Sequence, residues 1–176
     1  MEVSLLVWPM AAMVLCWLVG VHARLKRLRS ACWQAVDALD RGLQALLLVA
    51  RDALDRPDPA TKAHEVLTVA ALQLSLCLKT MKSAKLMTGD DGDARALGAH
   101  WAEITGAWEL FCSVHQDIIE PEAMQLLRSA WNDAHSQALF AKTSANQAMQ
   151  DYNAALRQAP ASWVAVRMGF VAATPL

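Results

Sequence analysis

Glycine and proline are scarce in this 176-residue chain, seven and six respectively. So few of either exclude a collagen-like or linker-rich polypeptide and a β architecture with many turns. Four cysteines, Cys16, Cys32, Cys77 and Cys112, stand far apart, form no C-x-x-C pair and sit among apolar neighbours. They read as small reduced hydrophobes rather than as a zinc site or a secreted disulfide framework. An excess of either charge is also missing: 16 basic side chains face 17 acidic ones, which excludes a broad basic surface for nucleic acid.

The motifs of chemistry are missing as well. There is no G-x-S-x-G turn and no glycine-rich phosphate loop, and Asp90-Asp91-Gly92-Asp93 lacks the spacing and terminal Glu of a calcium loop. A di-iron bundle needs Glu-x-x-His pairs, yet no Glu here is followed three residues later by His. His100 and Glu103 share a helix face, and His115 lies two residues before Asp117. These read as a solvated pair and a packed imidazole. The expectation is therefore no catalytic, cofactor-binding or metal-ligating residue.

What is present is apolar: 55% of residues are hydrophobic, with Ala and Leu dominating the periodic stretches, which favours one all-α domain. Residues 3–21 carry no charge. As a helix they span about 28 Å, close to the hydrocarbon thickness of a bilayer. Pro9 falls in the first two turns, and Trp8 and Trp17 stand near the two ends, where indoles favour the interface. Two alternatives compete. A cleavable signal peptide would carry basic residues ahead of the run, whereas only Glu2 is charged there, although Val21-His22-Ala23 resembles a cleavage site. A buried core helix would not be apolar on every side.

Arg24, Lys26, Arg27 and Arg29 follow at once, and such a cluster stays on the cytoplasmic side, predicting an N-out, C-in topology. With His22 it can contact anionic lipid headgroups. From Ser30 onward 12 basic side chains meet 16 acidic ones, so the distal body is repelled by the same surface.

Four helical stripes follow. Leu25, Leu28, Cys32, Val36, Leu39, Leu43, Leu46, Ala50 and Leu54 form the first, continuing the membrane helix until Asp55-Arg56-Pro57-Asp58-Pro59 ends it. Ala63, Leu67, Ala70, Leu74, Cys77 and Met81 form the second, stopped by Gly89-Asp90-Asp91-Gly92. Leu97, Trp101, Ile104, Trp108, Phe111, His115 and Ile118 form the third, with Asp93 as its cap. Glu120-Pro121-Glu122 separates it from the fourth, Met124, Leu127, Trp131, Ala134, Ala138, Ala141, Ala145, Ala148, Tyr152 and Ala155, whose spacing is that of a coiled-coil or bundle seam. Short connections predict an antiparallel up-and-down four-helix bundle. The expected division is an anchor over residues 1–23, a bundle over 24–158 and a tail over 159–176.

Asn146 and Asn153 lie seven residues apart beside the alanine seam, and buried amides there need partners. They read either as a site for a partner helix or as register-setting groups bonded to Asp37 or Arg41 of a neighbouring helix. If the helices alternate in direction, the tail with Trp163, Val164, Val166, Met168 and Phe170 returns towards the bilayer. There it either touches headgroups and the basic cluster or caps the open end of the bundle.

The C-terminal run Asn146-x-Ala148-x-x-Asp151-Tyr152-Asn153, followed by Pro160, Val164-Ala165 and Gly169-Phe170, resembles the signature end of the LemA family. Trp33, Val36-Asp37 and Arg41 are similar to that family's first helix. Gly42 stands where the family carries a second Arg, and Leu46-Leu47-Leu48 replaces its Pro-Asn element. The resemblance implies a bacterial, membrane-anchored four-helix bundle with no established enzymatic activity. The expected role is a non-catalytic scaffold at the inner face of the membrane, presenting helix faces to a protein partner. The alternative is a small-ligand or metal-responsive sensor lined by Trp101, Trp108, His115 and Tyr152.

Overall fold

The computed structural model describes residues 2–56, 62–80, 91–158 and 161–176. It contains five helices and no strand among those residues: α1 (Glu2–Leu54), α2 (Lys62–Thr80), α3 (Asp91–His115), α4 (Pro121–Arg157) and α5 (Ala161–Arg167). The second stripe's Met81, the Pro57-Asp58-Pro59 turn and Gly89-Asp90 lie outside the described residues.

α1 is a single helix of 53 residues, about 80 Å long at 1.5 Å per residue. It passes residue 23 without a break and carries Pro9 inside it, about two turns from its start. Its two parts differ in what covers them. Residues 8–20 are exposed all round, whereas from Leu25 onward one stripe is buried, including Leu25, Cys32, Val36, Leu39, Leu43, Leu46 and Ala50. Such a stripe at steps of three and four is what one helix face buries against neighbours.

α1 packs most extensively on α4, and α2 on α3. Along the α1–α4 seam Gly42 faces Ala138, the Cys32 thiol donates to the Ala148 carbonyl at 3.2 Å, and Leu25 clusters with Ala155. Later residues of α1 thus meet earlier residues of α4. The alanines of α4 make the approach close. A Cβ at Gly42 would stand 2.9 Å from the Ala138 Cα, inside van der Waals contact with backbone that cannot swing aside. The missing side chain at Gly42 therefore lets the two longest helices approach closely there.

The main core joins Leu39–Ala53 of α1, α2, α3 and Met124–Ala141 of α4. α2 and α3 have 19 and 25 residues against 37 in α4, and the shorter helices leave the other half of the α1–α4 pair without their cover. There the C-terminal residues take over: Ala165, Phe170, Ala173 and Leu176 pack against Leu25, Cys32, Val36, Met149, Tyr152 and Ala155.

Three local expectations are corrected. Asp93 is not a cap, because α3 already begins at Asp91. Ile118 leaves the third stripe: α3 ends at His115, whose carbonyl accepts the turn bonds of the Ile118 and Ile119 amides, and Ile118 is exposed. In α4 the seam shifts by one residue near its end, with Met149 fully buried and Ala148 only half-buried. A straight helix of 3.6 residues per turn drifts against a seven-residue repeat. Pro121 does open α4 at its first position.

Candidate functional site

The most unusual surface is the first third of α1. Trp8, Met10, Met13, Val14, Leu15 and Val19 are each more than half exposed, with Trp8 at 78%. Contiguous exposed apolar surface of this extent marks a site of membrane or protein contact. Among the described residues α1 is the one helix long and apolar enough to cross a membrane.

Immediately beyond it Arg24, Lys26, Arg27 and Arg29 are all exposed and form a basic collar, while Leu25 between them turns inward. The chain's end returns to this collar. α5 packs on both α1 and α4 and stops at Gly169, whose φ of +69° is the left-handed conformation that glycine adopts without strain. The Phe170 amide closes the turn on the Ala165 carbonyl at 3.0 Å, the bond of a Schellman helix stop. That turn aims Phe170 at α1. Its ring sits 5.9 Å from the His22 ring, edge to face, and the Arg29 guanidinium lies 5.9 Å from its centroid, within cation–π range. The Gly169-Phe170 pair thus stops α5 and supplies its contact with the collar.

Beyond Phe170 the chain has no helix to satisfy its backbone, and α4 provides the partners. Asn153 Nδ2 donates to the Ala173 carbonyl at 2.7 Å while the Ala173 amide donates to Asn153 Oδ1 at 2.9 Å. Asn146 repeats the arrangement on Leu176, at 3.0 and 2.7 Å. Tyr152 donates to the Val171 carbonyl at 3.1 Å. Seven residues of helix rise about 10.5 Å, and three residues of extended chain cover about 10 Å, so one heptad of α4 matches positions 173 and 176. Thr174 precedes Pro175, which biases it towards extended backbone.

This corrects the expectation for the two asparagines. Their partners are tail backbone, not Asp37 or Arg41 and not another helix. A carboxamide offers one donor side and one acceptor side, a match for the carbonyl and amide of a single residue that would otherwise stay unsatisfied. The sequence signal for this clamp was present in the Asn-Tyr-Asn spacing, but nothing local named the tail as its target.

Val164 and Ala165 face inward, whereas Trp163 and Val166 are 78% and 85% exposed and Met168 is also exposed. Trp163, Arg167 and Met168 border an apolar groove with Leu18, Val19 and His22 of α1, of about 470 Å³.

The chain matches no family model, no curated protein and no solved structure.

Trp108 stacks on Trp131 with centroids 4.4 Å apart, and Phe111 stacks on His115 at 4.1 Å. His115 is fully buried and its Nδ1 donates to the Phe111 carbonyl at 2.8 Å. Trp101 meets His135 edge to face. Tyr152 belongs to a different cluster, beside the tail. His100 Nδ1 pairs with Glu103 Oε2 at 2.9 Å on the surface. Among the described residues no three His, Cys, Asp or Glu side chains converge as metal ligands would.

Of the cysteines, Cys32, Cys77 and Cys112 are buried and Cys16 is exposed on the apolar segment. Burial pushes all three buried thiols above their ordinary range. Their thiolates are disfavoured, and these groups are poor nucleophiles.

Proposed function

We propose that this protein is a single-pass membrane anchor continuing into an antiparallel up-and-down four-helix bundle of the LemA type. In this reading it serves as a non-catalytic scaffold at the inner face of a bacterial membrane. The observation that carries the reading is the abrupt change along one unbroken helix: residues 8–20 uncovered and apolar, then four exposed cations, then a buried stripe. Lipid is the natural cover for the first part, and the cations favour the cytoplasmic side and anionic headgroups. The pairings of Gly42 with Ala138 and Leu25 with Ala155 support the antiparallel course of α1 and α4.

For the scaffold role, support comes from large apolar side chains on the outer faces of the bundle helices, such as Phe140 at 77% and Leu126 at 71% exposure. They offer anchors for an unidentified protein partner. Photocrosslinking from position 140 in native membranes, with an exposed polar position such as Ser144 as control, tests it. The same specific adduct recovered repeatedly from 140 and not from 144 supports the scaffold; adducts from neither overturn it. External protease acting on intact cells tests the orientation, because digestion of the bundle would reverse the assigned topology.

A further inference from the structure

We infer that the groove between α5 and the foot of α1 is a phospholipid site, which takes an acyl chain along Leu18 and Val19 and a headgroup phosphate at Arg167. The inference rests on the anchoring reading and adds a specific lipid contact to it.

The groove is apolar along its lining, and Arg167 borders it. Leu18 and Val19 belong to the last turn of the uncharged segment, and His22 is the first polar residue after it. An acyl chain lying against α1 in a bilayer therefore enters this groove directly. Its headgroup emerges beyond that turn, and Arg167, exposed at the border of the same groove, makes no ion pair with any described carboxylate. Trp163, exposed on the groove's rim, belongs to the residue type that favours the boundary between hydrocarbon and headgroups. Val166 and Met168 project outward beside it, giving this short helix an apolar face that the protein does not cover. Charge complementarity extends the site, since Arg24 and Lys26 stand exposed on the next turn of α1.

Full-length protein in lipid nanodiscs carries the test. A fluorophore on native Cys16 reports the anchor; the C16S/V166C variant reports α5; C16S/S144C on the outer face of α4 is the aqueous control. The remaining cysteines are buried, and Val166 is 85% exposed, so labelling there leaves the core intact. Quenching is read with acyl-brominated phosphatidylcholine and phosphatidylglycerol. The expected result is strong quenching at 16 in both lipids, none at 144, and quenching at 166 that is at least twofold greater with phosphatidylglycerol and loses that preference in R167Q. Quenching at 16 with none at 166 overturns the lipid site and leaves the anchor standing. No quenching at 16 overturns both. Equal quenching at 166 by the two lipids, or a preference that survives R167Q, overturns the assignment of Arg167 to the headgroup.

Discussion

Asn153 holds Ala173 with both ends of its carboxamide, donating to the carbonyl at 2.7 Å and accepting from the amide at 2.9 Å. One heptad earlier on α4, Asn146 does the same for Leu176. The tail is thereby fixed over the part of the α1–α4 pair that α2 and α3 leave uncovered, and its fixed course brings Phe170 onto the collar.

Replacing either asparagine by alanine leaves a backbone amide and carbonyl without partners, at a cost of about 1–3 kcal/mol. The expected outcome for N153A is a lower urea midpoint together with faster hydrogen exchange at residues 171–176. Because both amides hold one segment, N146A/N153A should cost less than the two single changes added together. Unchanged exchange in the tail would contradict the clamp.

Gly42 tolerates no side chain. Overpacking against the Ala138 backbone costs about 1–3 kcal/mol, more than the helix propensity of about 1 kcal/mol that alanine regains. G42A should be destabilised in chemical unfolding, and G42L more severely. Gly98 and Gly106 also lie in helix, with nothing within 4 Å of an added Cβ, so G98A and G106A should be neutral or more stable by up to about 1 kcal/mol.

The Trp108–Trp131 stack, tilted by only 9°, joins α3 to α4. W131A should cost about 3–5 kcal/mol and remove most of the near-ultraviolet circular dichroism, whereas W131F should retain more stability. A loss below about 1 kcal/mol would mean that the stack does not hold the two helices together.

Burial raises the Tyr152 phenol above its ordinary value of 10.0, opposed by the nearby Arg29 charge and reinforced by Cys32. The folded state then binds its proton more tightly than the unfolded state. The contribution is complete below pH 10 and is lost as pH rises through the folded-state value. Wild-type stability should fall across that alkaline window more steeply than that of Y152F. Parallel curves would contradict the buried phenol.

Thiol alkylation separates the cysteines. In detergent, where the reagent can reach the apolar segment, Cys16 should react first, and Cys32, Cys77 and Cys112 should react only after denaturation, because they are buried and their thiolates are disfavoured. In bilayers Cys16 should be protected from a water-soluble reagent; labelling as fast as in detergent would count against the anchor.

Periodicity located most of the core. Leu25, Cys32, Leu39, Leu43 and Leu46 in α1, and Leu127, Trp131, Ala138 and Ala145 in α4, are buried where their spacing placed them, because a helix face repeats every three or four residues whatever it packs against. The helix ends were less legible. Asp93 and Ile118 misplaced the boundaries of α3, because a capping residue or a terminal apolar residue is a local preference that packing overrides. The candidate site divided in the same way. Arg24, Lys26, Arg27 and Arg29 could be read directly as a charge cluster, whereas the targets of Asn146 and Asn153 lie 30 and 20 residues away in sequence, and no spacing rule reaches that far into a segment without periodicity.

The sequence by itself determined the helical class, the long uncharged run with its basic flank, and most of the side chains that turn inward, because each is fixed within a few turns of chain. The tertiary structure decided which helices meet and at what depth, the closeness at Gly42 and Ala138, and the capture of the tail by α4. Those depend on lengths that differ between distant elements: α2 and α3 fall short of α1 and α4, and the exposed seam and the unsatisfied tail backbone complete each other only in three dimensions.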